Sequence, residues 1–258
     1  MHLPAPFEPV GDHIGIALLG GQALFTTRRG GVSEGPYASL NVGRWIDDDA
    51  EAVDRNRRIL AETVGVPLDA LLQGRQVHGN RVERRALGDG ALPEADGHAT
   101  ATPGLAPTVI TADCLPVALI GPKAVAMVHA GWRGLAAGVV EEGIKAVREL
   151  SGESELQAAI GPGAGACCYE VGPEVHAAFG QPATRGRIDL KAIAAERLHA
   201  AGVAAVHDVD LCTICSDPAL LFSHRRDNGV TGRQAGVAWR VRDDRSSEGR
   251  QAGIAWRS

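Results

Sequence analysis

Between Pro107 and Gly131 the chain passes through three short apolar runs, PTVIT (107–111), LPVALIG (115–121) and KAVAMVHAG (123–131). Each is bounded by Gly, Pro or Asp, and none alternates with polar residues. That is the pattern of strands covered on both faces, which only a layered domain can supply. The segments around them extend the pattern. ALFTT (23–27) reads as a strand closed by the turn RRGG, and LQAAIGPG (156–163) and AAVHDVD (204–210) read as further strands. A helix is predicted from Asp47 to Val64, with an acidic DDD start and Val53, Ile59, Leu60 and Val64 at helical spacing. VVEEGIKAVREL (139–150) and LKAIAAERLHAAG (190–202) read as two more, the second with Gly202 past its end. Helices and strands are intermixed with no Pro/Ser-rich linker, and 258 residues suit one large domain, so a single mixed α/β domain is expected.

Composition narrows the function classes. At 45% hydrophobic and 22% charged residues the chain is too apolar for a disordered one. A net charge of −5 gives no reason to expect a nucleic-acid partner. No apolar run approaches the ~18 residues of a membrane span, and MHLPAPFEPV lacks the basic-then-apolar order of a signal peptide. Five cysteines, two of them adjacent at Cys167–Cys168, argue against a disulfide framework. A reduced, cytoplasmic protein is expected, with its thiols free for chemistry.

His78 in RQVHGN, Cys114 in TADCLPV and His129 in VHAGWRG each lie at or near the end of an apolar run, beside Gly, Asp or Pro. Strand ends are where α/β folds display functional side chains. Two imidazoles and a thiolate suit Zn²⁺ and would leave a fourth position open, the catalytic pattern. Bound water there would be acidified to a pKa of about 7. The same residues also fit a metal-free reading, with Cys114 as nucleophile, His129 as its base and Asp113 orienting the imidazole. A third reading keeps them as hydrogen-bonded loop histidines and a buried thiol. Arg28–Arg29 before Gly30–Gly31, Arg57–Arg58 on the first helix and Arg133 in GWRG are candidates for an anionic substrate. Trp132 is placed to stack on a flat ring or to pack in the core. Cys212 and Cys215 form C-T-I-C, but no second C-x-x-C completes a zinc knuckle, so they are expected to be structural thiols. Cys167–Cys168 follow the Gly-rich IGPGAGA, which has no Lys or Ser/Thr of a P-loop and reads as a packed loop.

FTTRRGGVS, YASLNVG, QVHGN, TADCLPV, HAGWRG and IGPGAGACCYEVG occur in that order from Phe25 onward. Together they resemble the YfiH/laccase-domain family, labelled multicopper polyphenol oxidoreductase or peptidoglycan editing factor, with the likeness running to about Trp239. The resemblance implies an α+β, αββα-type layered sandwich in which His78, Cys114 and His129 bind a catalytic Zn²⁺. It also implies purine nucleosides and inorganic phosphate as partners: phosphorolysis of adenosine, inosine, guanosine or methylthioadenosine, with deamination of adenosine. Asp113 would assist proton transfer. Asn41 and Gln76, inside two of the motifs, join Arg28, Trp132 and Arg133 as candidate substrate contacts.

A four-copper oxidase holds its ions in paired H-x-H motifs. Nine His without one H-x-H fit a single three-ligand site instead, at which Cu²⁺ would be an adventitious guest. His2, His13, His176, His199 and His207 read as tail, helix or exposed positions. Two alternatives stay open: a Cys114/His129 amidase acting on UDP-linked muramyl-amino acids, and a non-catalytic zinc-stabilised nucleotide-binding protein. RQAGVAWR (233–240) recurs as RQAGIAWR (250–257). Two copies are too few for a repeat array, so one is expected to form the last strand and the other a tail. The chain then divides into an N-terminal segment (1–22), a catalytic domain (23–240) and a tail (241–258).

Overall fold

The computed structural model describes residues 2–90 and 93–241. One six-stranded sheet contains β1 (Glu8–Val10), β2 (His13–Leu18), β3 (Gly21–Phe25), β4 (Leu71–Leu72), β7 (Ala106–Thr111) and β14 (Gln234–Arg240), in the order β1-β2-β3-β14-β7-β4. The second contains β5 (Val82–Arg84), β6 (Gly97–Thr100), β8 (Leu115–Ile120), β9 (Val125–Ala130), β10 (Gln157–Ile160) and β13 (Ala205–Asp208), in the order β13-β10-β8-β9-β6-β5. A two-stranded ribbon pairs β11 (Glu170–Val171) with β12 (Gly186–Arg187). The helices are α1 (Ala50–Val64), α2 (Trp132–Ala136), α3 (Val139–Ser151), α4 (Pro173–Ala178) and α5 (Leu190–Ala200).

Three buried clusters show how these elements are layered. Ile14, Ile16 and Phe25 of the first sheet meet Ala118, Ile120, Val125 and Met127 of the second. Leu60, Ala61 and Val64 of α1 cover the outer face of the first sheet at Leu24, Ala235 and Val237. Ile144 and Val147 of α3 and Leu198 of α5 cover the outer face of the second at Val117, Leu119 and Val128. The result is the αββα sandwich that the resemblance implies.

This explains the apolar runs. Every residue of β8 and β9 is buried, because one face of the second sheet meets the first sheet and the other meets α3 and α5. Each fully buried side chain of Ile or Met size contributes about 1.5–3 kcal/mol. The sheets approach closely where side chains vanish. A Cβ on Gly236 would lie 2.7 Å from Pro116 Cβ across the inter-sheet layer.

The first helix begins at Ala50 rather than Asp47, because Asp49 is its N-cap, with its carboxylate accepting the Ala52 N–H at 2.7 Å. Asp48 is spent elsewhere, accepting from Ser33 Oγ and Asn41 Nδ2, both at 2.7 Å. Gly65, at φ +77°, ends the helix. The boundary expected at residue 22 falls inside β3, and β1 and β2 are strands of the same sheet. His13 accordingly is no tail residue: its ring is buried in β2, and its Nδ1 accepts the Thr27 N–H at 3.3 Å. The first RQAGVAWR copy supplies β14, a central strand of the first sheet. The second copy and the tail beyond Val241 lie outside the described residues.

Candidate active site

Side-chain parity along β8 and β9 determines where the site forms. Val117 and Leu119 point to the helices, whereas Ala118 and Ile120 point to the other sheet. In β9, Ala126 and Val128 face the helices while Val125 and Met127 face the other sheet. By the same period of two, Cys114 and His129 project from the inter-sheet side. The antiparallel register pairs Pro116 with His129 and Leu115 with Ala130, so both residues lie at one end of that layer. Only Ala112, Asp113 and Cys114 separate β7 in one sheet from β8 in the other. Asp113 makes the crossing at φ +94°, a conformation that non-glycine residues rarely adopt.

His78 comes from a loop, and one carboxylate fixes that loop. Asp96, immediately before β6, accepts backbone N–H bonds from Val77 at 3.1 Å, His78 at 2.9 Å and Gly79 at 2.7 Å. It also holds His129 Nδ1 at 2.8 Å, with the Asp96 side chain fully buried and His129 3% exposed. His78 is held at φ +60° by this arrangement. The ligand atoms of His78, Cys114 and His129 then lie within 4.8 Å of one another. The two imidazoles meet edge to face, with ring centroids 4.9 Å apart. His129 is buried, Cys114 half-buried and His78 exposed, so the group opens to solvent on the His78 side.

The electrostatics follow from these contacts. Burial alone would raise the Cys114 thiol, but the His129 charge and hydrogen bonds from both imidazoles outweigh it and hold the thiol low. Burial would likewise lower His129, yet Cys114 and Asp96 together hold it high. Asp96 is itself kept below the usual carboxylate range: burial opposes ionisation, and His129 and the loop amides overcome it. Both shifts favour the thiolate of Cys114, the form that a nucleophile or a metal ligand needs, beside a protonated His129.

These residues fit a metal ion. Two imidazoles and a thiolate are soft, tetrahedral-type donors, and the Asp96 bond to Nδ1 leaves His129 Nε2 as the ligating atom. A Cβ on Gly131 would sit 3.0 Å from both Cys114 Sγ and His78 Cδ2, so the cradle also needs a glycine.

The other sequence candidates take different places. Asp113 Oδ1 accepts from Thr213 Oγ1 at 2.5 Å, and its Oδ2 accepts from the Arg225 N–H at 2.7 Å. The Arg133 guanidinium stacks 4.3 Å over the Trp132 ring. Arg28 lies 4.4 Å over Phe222 and donates to the carbonyls of Ala38, Pro218 and Pro36. Asn41 is buried, donating to Asp48 and accepting from Gly43 and Arg233 N–H groups. Gln76 exchanges two 2.8 Å bonds with the backbone of Ile110. Arg57 turns inward to bond Val42 O and Gln73.

Sequence reasoning missed Asp96, Tyr169, Arg225 and Arg233. Burial first, then the Cys114 charge, push the Tyr169 hydroxyl up to about 12, and Arg225 lies 5.2 Å over its ring. Burial lowers Arg233, with Cys114 and Asp113 pulling the other way. Asp96 and Arg225 sit in an Asp-Gly pair and the run SHRRD, both too common to single out, whereas Tyr169 and Arg233 lie inside IGPGAGACCYEVG and RQAGVAWR, where the motif gave no role to the individual residue.

The sequence matches the family described as multi-copper polyphenol oxidoreductase laccase over residues 22–241. It is 42% identical over 233 residues to a protein of Pseudomonas aeruginosa named purine nucleoside phosphorylase, covering 84% of this chain and 93% of that one. It is 38% identical over 246 residues to purine nucleoside phosphorylase YlmD of Geobacillus stearothermophilus, covering 83% and 88%. The crystal structure of hypothetical protein YfiH from Bacillus licheniformis superimposes with a TM-score of 0.86 at 30% identity, over 92% of this chain and all of that one. Among the described residues no helix is long and apolar enough to cross a membrane.

Proposed function

The chain belongs to the multi-copper polyphenol oxidoreductase laccase family, and from that premise we propose that it is a zinc-dependent purine nucleoside phosphorylase. One observation carries the reading. His78, Cys114 and His129 converge within 4.8 Å, in a chain about 40% identical to proteins named purine nucleoside phosphorylase. In phosphorolysis a phosphate oxygen bonds to the ribose C1′ while the C1′–N9 bond breaks. Its electron pair passes to the purine, which gains a proton and leaves, and ribose 1-phosphate remains.

The chain's own groups suit each part of that reaction. Arg133 is offered to the phosphate, supported by the charges of Arg225 and Arg233 around Cys114 and Asp113. Trp132 and Tyr169 give flat faces for a purine, and the Tyr169 hydroxyl stays protonated as a hydrogen-bond donor to the departing base. Asp113 would assist proton transfer, held in position by Thr213 Oγ1 and the Arg225 N–H. Arg28, Asn41 and Gln76 act through the loops they brace. Zn²⁺ held by His78, Cys114 and His129 would polarise a bound group and acidify a water to about pKa 7, the chemistry that adenosine deamination at C6 requires. Five free cysteines fit a reducing compartment, the cytoplasm.

The test is product analysis of adenosine and inosine, each with and without inorganic phosphate. Phosphate-dependent release of adenine or hypoxanthine with ribose 1-phosphate is expected, and it should disappear in Cys114→Ala together with the site's zinc. Full activity in Cys114→Ala overturns the proposal, as does hydrolysis of muramyl amides in place of nucleoside turnover.

A further inference from the structure

The other four cysteines come from two places in the sequence that are 44 residues apart at their nearest, Cys168 and Cys212. The fold brings them together because β10 and β13 are parallel neighbours, with Gln157 opposite Ala205 and Ile160 opposite Asp208. Both strands end at the same edge. The loop after β10 carries Cys167 and Cys168, and the loop after β13 carries Cys212 and Cys215. Backbone bonds continue the pairing past the strands: Gly163 N–H donates to Leu211 O at 3.2 Å, and Thr213 N–H to Gly163 O at 3.0 Å.

All four sulfur atoms lie within 4.8 Å of one another, and Cys167 Sγ is 3.5 Å from Cys215 Sγ. A tetrahedral zinc with Zn–S bonds of about 2.3 Å puts its sulfurs roughly 3.8 Å apart. The quartet thus has nearly the size of a single-ion shell and is too compact for a cluster whose cysteines bind different irons. The four cysteines are not joined as disulfides: all are free thiols, and Cys167 Sγ and Cys215 Sγ, 3.5 Å apart, are beyond the about 2.05 Å of an S–S bond. Gly165 supports the same view: a Cβ there would lie 3.1 Å from Cys212 Cβ and 3.3 Å from Cys167 Sγ. Its N–H donates to Cys212 Sγ at 3.3 Å, the kind of amide bond that stabilises a thiolate. Four crowded thiols, with Cys167 and Cys215 exposed, would repel as thiolates and oxidise as thiols unless a cation neutralised them.

We propose that Cys167, Cys168, Cys212 and Cys215 bind a second, structural Zn²⁺ that clamps the glycine-rich loop 161–168 to the loop 209–216. Four protein ligands close the coordination shell, so this ion takes no part in chemistry. What it holds is next to the active site. Thr213, inside the clamped loop, donates to Asp113, and Ala164 N–H donates to Asp113 O at 2.7 Å.

The test is metal analysis of the reduced protein after loading with zinc chloride and gel filtration. Two zinc ions per chain are expected in the native protein, and one in Cys114→Ala. The paired variant Cys212→Ser/Cys215→Ser should lose the other ion while keeping the one at His78, Cys114 and His129. Should that variant fail to fold, cobalt titration of Cys114→Ala decides, because four thiolates give intense sulfur-to-cobalt charge-transfer absorption. Native zinc that the Cys212→Ser/Cys215→Ser variant keeps in full, iron at the second site, a cobalt spectrum of Cys114→Ala without thiolate bands, or disulfides linking these cysteines would each overturn the proposal; one zinc that Cys114→Ala keeps would instead overturn the first site alone.

Discussion

The His78–Cys114–His129 site and the cysteine quartet both gather donor atoms to within 4.8 Å, yet they are built in opposite ways. The first stands on rigid ground. Cys114 and His129 sit on paired strand ends, and a fully buried Asp96 bonds His129 and three consecutive loop amides. The second hangs from two surface loops and draws on a backbone amide, the Gly165 N–H on Cys212 Sγ. The first offers three ligands and an open side. The second offers four and closes on itself. On the two assignments proposed above, one fold would separate chemistry from fastening: directional support goes where a reacting group must be aimed, and proximity suffices where loops need tying.

The largest effect is expected at Asp96. Asp96→Asn keeps the volume but replaces an acceptor oxygen by an NH₂ group facing loop N–H donors or His129. Loss of zinc affinity at the first site and of kcat/KM by about 10–100-fold is expected, read by metal titration and steady-state kinetics. The second site should keep its metal, and equal loss at both would break the contrast. Gly131→Ala comes next. Its Cβ would press on Cys114 Sγ and His78 Cδ2 at 3.0 Å, and shifts well under 1 Å should lower kcat/KM by about tenfold. Thermal stability should change little.

Thr213→Val tests the link between the two regions. It removes the 2.5 Å bond to Asp113 Oδ1 but leaves the Arg225 N–H on Oδ2. A bond to a carboxylate is worth about 1.5–3 kcal/mol. A lowered melting temperature and a several-fold lower kcat are expected, with zinc content unchanged at both sites. An unaltered kcat would mean that the two regions are independent.

The last effect, absent at neutral pH, is a pH dependence behind the first site. His98 in β6 accepts the Gly74 N–H at 2.8 Å and so braces the loop leading to His78. Burial, with a smaller push from Arg85, holds its imidazole down to about 4. The unfolded chain takes up this proton near pH 6.5, whereas the folded chain resists it until about pH 4. The stability from a neutral His98 is therefore complete above pH 6.5 and is lost as pH falls towards 4. His98→Gln should flatten that slope by at most about 1.4 kcal/mol per pH unit, measured by denaturant unfolding across the window. An equal slope in the variant would remove His98 from the account.

Much of the architecture was legible in the chain because periodicity is local. The apolar runs at 107–131 became β7, β8 and β9, the helical patterns became α1, α3 and α5, and the first RQAGVAWR copy became β14. The exceptions were local competitions, such as Asp48 leaving the helix start to serve Ser33 and Asn41. His78, Cys114 and His129 were legible too, since ligand-type side chains at Gly- and Asp-bounded strand ends are conspicuous. Asp96 was not. A carboxylate before a four-residue strand looks like any turn aspartate until strand pairing sets it against His129.

The sequence by itself determined which segments must be buried and which residue types are fit for zinc, because hydrophobic period and ligand chemistry belong to each residue wherever it sits. Only the tertiary structure decided which donors meet. Cys167–Cys168 and C-T-I-C read as unrelated thiols until the parallel pairing of β10 with β13 delivers their loops to one edge. Asn41 and Gln76 look like free amides until folding gives Asn41 the Asp48 carboxylate and two backbone N–H groups and gives Gln76 the backbone of Ile110. Period two decides which face a residue takes, but contacts between distant segments depend also on strand order, which no local pattern encodes.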